Sequence, residues 1–384
     1  MKVERVAAVV IGGGAVGIAL ALLLEEVLRD GEGRVALMSK PQAAGEGPPR
    51  WYSLNHAGMA LLRRLGVNPP AVPFTDMRVV DLTGGASFYY QARELGVDAL
   101  GCTVDERQLV RALEDKLQQS GVALATAFAS IERRQDEWLC VDTQGESYSA
   151  PLVFAADGSR SQAARQVGMT ERREWASGDT ALIANLHTDQ PFVPEARQWF
   201  SPEGVIALLP DDQQGYSLVW SSERGEALTQ LEDEPFVRAL EQATASQAGR
   251  VRLSGSRAAF PIHTHVAGRL TDQGFTLVGN AACTIHPLAG QGLNLAYWGL
   301  ARLADCLQTY GAFSNPGAKA LYNWQAQALP VNHAYWLLMR QLRQVFRTTN
   351  PLVTAGRSAL IRHCFSRRIP AALAADFAMH GVRI

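Results

Sequence analysis

The chain has 384 residues, 47% hydrophobic and 19% charged, a balance that suits two domains or one large α/β domain with an insertion around a sizeable core. Its 36 basic and 37 acidic residues leave a net charge of -1, which excludes a global field for drawing in nucleic acid or an acidic surface. The five scattered cysteines have no metal-site spacing and point to a reducing, cytoplasmic compartment; no apolar run approaches the roughly 18 residues of a spanning helix.

In chain order, Val6 to Ile11 reads as a buried parallel strand, Ala15 to about Arg29 as a helix, and Arg34 to Met38 as a second strand, which together make a βαβ opening. The first apolar run is too short for a signal peptide. A Pro- and Gly-rich loop (Pro41 to Pro49) follows, then a helical pattern from His56 to Leu65 that stops at Gly66. Thr103-Val104-Asp105-Glu106 has capping-box spacing ahead of an amphipathic helix carrying Leu109, Leu113 and Leu117. Short alternating runs from Val122 to Tyr148 read as antiparallel strands and lead to the apolar "APLVFAADG". Residues 179 to 260 read as an inserted sheet domain, interrupted by an acidic helix near Leu228 to Leu240. "FTLVGNAACTIHPLAGQGLNLAYWGLARLADCLQTY" returns to buried strand, loop and helix, so the nucleotide domain is discontinuous. From Val331 the tail carries eight arginines and one aspartate among its aromatic and aliphatic residues.

Three motifs carry the chemistry. Gly12-x-Gly14-x-x-Gly17, between strand and helix, is a dinucleotide fingerprint that does not choose among NAD, NADP and FAD. At the end of the second strand, where an acid would bind ribose hydroxyls, stand Ser39 and Lys40. On that motif alone the pair favours NADP, or merely begins a surface loop. Asp157-Gly158 is in isolation a common turn dipeptide, but it follows an apolar strand, an unusual place for a surface hairpin. The third motif runs from Gly279-Asn280 through His286-Pro287 to the glycine turn of Gly290 and Gly292, and aims backbone N–H groups and a helix dipole at one point.

Together and at these spacings, the three motifs resemble the flavin-dependent aromatic hydroxylases of the para-hydroxybenzoate hydroxylase type. "GNAACTIHPLAGQGLNL" and "GVIALLP" resemble the branch that hydroxylates ubiquinone precursors. The resemblance implies that Gly12, Gly14 and Gly17 hold the FAD diphosphate, and that Arg50 lies along the ribityl and ring region. It places Asp157 and Gly158 near the diphosphate and the reduced nicotinamide, and Gly279 and Asn280 at the ribityl chain. Pro287, Gly290, Gln291, Gly292, Leu293 and Asn294 would pack on the isoalloxazine. Ser39 and Asn280 both stand where the family pattern has an acid, so FAD is expected in the first site, bound less tightly than usual, by roughly 1 kcal/mol per neutral acceptor.

The implied fold is a discontinuous Rossmann-like FAD-binding domain (residues 1–75, 101–175 and 265–315) with an antiparallel substrate sheet (76–100 and 176–264) and a helical C-terminal region (316–384). The implied reaction is monooxygenation of a polyprenylated phenol in ubiquinone biosynthesis, with O2 and a flavin C4a-hydroperoxide as oxidant. No second GxGxxG is present, so no separate nicotinamide domain is expected; the resemblance implies that NAD(P)H meets the flavin transiently or that another donor replaces it. Pro287 offers a carbonyl to the oxidant or a substrate hydroxyl, and His286 is either a proton relay or a loop anchor. Cys283 reads as a packing residue, and Trp199, Phe200, Trp220 and Phe260 as core or pocket wall. The basic tail after Val331 has the composition of a segment resting on the inner face of a membrane, or of a helix with a solvated basic face. Partners would be the lipid-linked phenol, other ubiquinone-biosynthesis proteins and no nucleic acid. Rival readings are a hydroxylase of a soluble aromatic acid, a degenerate flavin-fold scaffold, and more distantly an NADP-linked dehydrogenase.

Overall fold

The strand Ala8–Ile11 is buried along its whole length because it lies inside a parallel sheet, where both faces are covered and alternation disappears. A computed structural model describes residues 3–28, 34–40, 47–311 and 315–366 of the chain. Its six-stranded sheet runs in the order Thr271–Asp272, Phe275–Leu277, Leu152–Ala155, Ala8–Ile11, Val35–Met38, Ala123–Ala125; all neighbours are parallel except the first pair. Three distant stretches of sequence therefore meet in one sheet. Helix Ala15–Val27 packs on it through Ile18 to Leu24. Residues 41–46 of the expected Pro/Gly loop and residues 367–384 of the tail lie outside the described residues.

Two sequence expectations need correction. Ala123–Ala125 does not join the antiparallel strands that follow; it is the parallel edge of the nucleotide sheet, and only Phe128–Arg134, Glu137–Asp142 and Ser147–Ala150 pair antiparallel. A three-residue run is too short for its pattern to reveal its partner. The cap of helix Glu106–Gln118 is Asp105, whose carboxylate accepts from the N–H groups of Arg107 (2.7 Å) and Gln108 (3.0 Å). Thr103 is still in the strand Gly101–Asp105, its hydroxyl donating to the Pro210 carbonyl. The strand extends two residues beyond the capping-box frame, and the next cap-competent side chain takes over.

The second large sheet has nine strands, among them Asp76–Asp81, Ala86–Gln91, the long Arg172–Thr188, Glu195–Ser201, Gly204–Pro210, Tyr216–Ser222 and Ala258–Ala267. It is antiparallel apart from the pairing of Glu195–Ser201 with Asp76–Asp81. Leu182, Trp199, Ile206, Leu208, Leu218 and Trp220 project from one face and pack with Phe236 and Leu240 of helix Asp233–Ala243. Alternation sends Ala181, Ile183, Ala207, Leu209 and Val219 to the other face.

Two helices close the described chain. Asn315–Arg347 packs against Gly292–Tyr310, and Pro351–Ser366 lies on the edge strand Ala86–Gln91. Each is pinned to the substrate sheet by a buried, forked ion pair: Arg343 to Asp179 in one case, Arg357 to Asp81 (2.6 and 2.8 Å) in the other.

Candidate active site

Gly12 has a φ of 117°, and a Cβ there would run into the Ala156 carbonyl, so the turn needs glycine twice over. A Cβ on Gly17 would meet the Gly12 carbonyl and, at 3.3 Å, the Ala156 methyl; this glycine is the close helix-to-strand contact. Around Gly14 nothing lies within 4 Å of a Cβ. Gly14 is also the N-cap of Ala15–Val27, a helix start with no side-chain cap and no acid in its first turn. Uncapped N–H groups facing open space suit an anion.

That space belongs to a cavity of about 1120 Å³ lined by all three motifs. Asp157, after strand Leu152–Ala155, accepts through Oδ2 from the N–H groups of Gln162 (2.7 Å) and Ala163 (3.1 Å); its Oδ1 is buried without a partner. Lys40, Arg160 and Arg165 border the same end and supply positive charge. Ser39 stands against Gly13 behind the lining, its hydroxyl donating to the Lys40 carbonyl at 3.0 Å. Gly279, at φ 57°, would bring a Cβ to 2.9 Å from Val16 and so seats the first helix, while Asn280 and Gly158 line the cavity.

The third motif forms the floor. Pro287, Gly290, Gln291, Gly292, Leu293 and Asn294 all line the cavity, and the N-terminus of helix Gly292–Tyr310 opens onto it. Nothing lies within 4 Å of a Cβ at Gly292. The Pro287 carbonyl accepts weakly from Gly290 N–H at 3.4 Å. The Asn294 amide is spent on protein: Oδ1 accepts from Asn55 N–H and Nδ2 donates to the Ser53 carbonyl, both at 2.9 Å. It therefore ties the floor to the strand Trp51–Leu54. His286 lies off the cavity wall, with both neighbours on it; its Nε2 is 3.0 Å from Asp179 Oδ2 in a fully buried pair.

Arg50 sits 3.6 Å from Glu106 and over the Phe260 ring (5.4 Å) at the junction of the two ends. Tyr52 donates to Glu106 Oε1 at 2.6 Å, and burial, reinforced by that carboxylate, pushes its phenol well above the ordinary range. Glu106 escaped the sequence reading because it looked like a helix-start acid. Beyond Arg50 the cavity becomes a largely apolar chamber walled by Phe74, Met77, Leu100, Ala181, Ile183 and Val219, with Gln198 and Ser217 as neutral polar groups on the same sheet face. Arg197 borders it, but its guanidinium is paired with Glu195 (2.5 Å) and lies over Tyr216, in the layer on the opposite face. Of the four aromatics singled out in sequence, Phe260 lines the cavity; Trp199 and Trp220 pack beneath helix Asp233–Ala243, and Phe200 stacks on Phe346 at 3.8 Å. Cys283 is buried, its thiol pushed up to about 12 by desolvation, as a packing residue should be.

The residues fit FAD. The open space at Gly14 and the unopposed helix start match a diphosphate, and the long floor from Pro287 to Asn294 matches a flat, delocalised ring. The family model described as an FAD binding domain matches residues 5–309. The chain is 31% identical over 382 residues to ubiquinone hydroxylase UbiL of Rhodospirillum rubrum, covering 95% of this chain and 83% of that protein. It is 29% identical over 322 residues to the 3-demethoxyubiquinol 3-hydroxylase of Escherichia coli K12, covering 79% of this chain and 80% of that one. The crystal structure of p-nitrophenol 4-monooxygenase PnpA from Pseudomonas putida superposes with a TM-score of 0.78 over 99% of this chain and 100% of that one at 17% identity, a likeness of fold. The chain belongs to the FAD-binding-domain family, and it is an FAD-dependent monooxygenase of the aromatic-hydroxylase class.

Proposed function

We propose that this monooxygenase hydroxylates the ring of a polyprenylated phenol, a ubiquinone precursor, collected from a membrane surface. The observation that carries the reading is the chamber beyond Arg50: its walls are mostly apolar, the polar groups on the same sheet face, Gln198 and Ser217, are neutral, and the Arg197 guanidinium that borders it is held by Glu195, which Arg78 shares. A soluble aromatic acid needs a charged anchor there; a ring with a lipid tail needs a greasy wall. The relatives named as ubiquinone-pathway hydroxylases support the same substrate class.

Reduced FAD, when bound, would supply the two electrons that activate O2, one atom of which goes to the ring and the other to water. The protein's share is placement and electrostatics. Gly12, Gly14 and the start of helix Ala15–Val27 would hold the diphosphate, with Asn280 at the ribityl chain. The N-terminus of Gly292–Tyr310 favours negative charge at the ring edge that faces it. The Pro287 carbonyl, engaged only by the long Gly290 N–H contact at 3.4 Å, orients a hydroxyl donor, and the apolar walls exclude water from the reacting pair.

The C-terminal helices supply the membrane contact in this proposal. Residues 315–366 contain no aspartate or glutamate, and Leu337, Leu338, Leu352 (84% exposed) and Leu360 (63%) face outward. Arg340 and Arg362 add positive charge to suit anionic headgroups. Met77 and Phe88 pack both on the Tyr335, Trp336 and Met339 cluster of these helices and on the Phe74 and Tyr90 cluster at the chamber, so apolar surface runs from one to the other. No helix of the described residues is long and apolar enough to cross a membrane.

The test is turnover of FAD-loaded protein on a prenylated phenol in anionic vesicles and on 4-hydroxybenzoate in buffer, read as the mass gain of one oxygen atom. Hydroxylation of the prenylated phenol alone is expected. Turnover of the soluble acid alone would overturn the substrate assignment, and equal turnover with and without vesicles would overturn the membrane contact.

A further inference from the structure

The flavin-facing floor is anchored from behind by three side chains that the chemistry above does not use. Asp179 sits at a bulge in the strand Arg172–Thr188, where pairing with Ala258–Ala267 shifts register and Gly178 turns at φ 77°. Its carboxylate is fully buried and accepts a fork from Arg343, Nε to Oδ2 at 2.6 Å and Nη2 to Oδ1 at 2.8 Å. Oδ2 also faces His286 Nε2 at 3.0 Å. A carboxylate already held by a guanidinium is acceptor only, so the imidazole must carry its proton on Nε2. Nδ1, buried and without a partner, is then a bare acceptor.

We propose that Arg343, on the C-terminal helix Asn315–Arg347, is a positioning residue for the reaction: through Asp179 it holds His286 as a neutral imidazole with its proton on Nε2. The floor that meets the isoalloxazine thus carries no titrating charge beside Pro287, and the dipole of helix Gly292–Tyr310 sets its electrostatics alone.

The charge balance supports this. The groups facing His286 are Asp179 from the long strand, Arg343 from the C-terminal helix and the neutral Trp175 ring, centroids 6.1 Å apart. Burial lowers the imidazole pKa, Asp179 raises it and Arg343 lowers it again, for a net fall. At Asp179 burial opposes ionisation, but the bonds from Arg343 and His286 outweigh it and hold the carboxyl well below the usual range. Without Arg343 the carboxylate would have the imidazole as its remaining cationic partner, and His286 would take up a proton.

The proposal rests on the loop facing flavin, so the experiment reads the imidazole itself. FAD-bound protein labelled with 15N at histidine is titrated without substrate from about pH 5.5 to 8.5, the window in which imidazoles titrate. Loss of a resonance in His286→Gln assigns the site. The wild-type imidazole is expected to stay neutral, with one proton-bearing nitrogen, throughout. In Arg343→Met it should protonate with a midpoint above the ordinary value of about 6.5. Arg343→Lys, which keeps the cation, should restore the neutral form. In turnover, Arg343→Met should waste severalfold more reductant as peroxide below its midpoint than above it, a pH step that wild type and Arg343→Lys lack. A wild-type His286 that titrates near 6.5, or one whose proton sits on Nδ1, overturns the proposal even where Arg343→Met fails to fold. A folded Arg343→Met with an unshifted imidazole does the same. Neither spectrum involves a substrate, so a wrong substrate assignment would leave both unchanged.

Discussion

The two ends of the cavity are built by opposite means. At the nucleotide end the working surface is backbone: Gly14 and Gly292 leave open space at two helix starts, and Gly12 and Gly290 make turns too close to Ala156 and Ser53 for a side chain. At the substrate end it is side chain: Ala181, Ile183 and Val219 on one face of a pleated sheet leave a hollow whose shape is their volume. A backbone site fails when a Cβ is added, whereas a chamber fails when its volume changes. The first should lose cofactor and the second should lose only substrate.

Gly12→Val makes the largest break. A branched side chain at φ 117° and against the Ala156 carbonyl should cost about 4 kcal/mol or more. Loss of soluble protein, or of all flavin absorbance after desalting, is the expected result. Ala181→Trp attacks the other end: overfilling should cost about 1–3 kcal/mol of stability and lower hydroxylation on the order of 100-fold. Flavin content should stay at the wild-type level; its loss would show that the two ends are not separable. Gly14→Ala is subtler, because its Cβ meets no protein atom within 4 Å. The melting temperature without FAD should be unchanged while FAD dissociates roughly 10–100-fold more readily, about 1.4–2.7 kcal/mol. An equal fall in both quantities would make Gly14 a folding residue like Gly12. Asn280→Asp is the smallest change and the one in the favourable direction. Restoring the carboxylate should tighten FAD by about 1 kcal/mol, seen as a roughly fivefold lower Kd by flavin fluorescence.

The same contrast explains what could be read early. Glycine spacing reports a backbone requirement, and such requirements are local: Gly12 to Gly17 and Pro287 to Asn294 all span only a few residues, and the strand before and helix after each are visible from composition. Strand face is not local. Trp199, Trp220 and Phe260 read alike as core or pocket wall, yet of the three Phe260 alone reaches the cavity, because register and bulges decide which parity of each strand faces inward. Asn294 and His286 were visible as motif residues, but their actual partners, Ser53 and Asn55 for the one and Asp179 for the other, lie far away in sequence.

By itself the sequence determined a dinucleotide site, its three motifs and their order along a discontinuous domain, since each rests on short-range steric rules that any fold must obey; FAD followed from the resemblance that the three motifs carry together. Tertiary structure alone decided that Glu195 holds Arg197 and Arg78 together, that Asp105 and not Thr103 caps its helix, and that Arg343 reaches Asp179 across 164 residues. Those outcomes depend on which charged groups are buried together, and burial is a property of the assembled layers, not of any one segment.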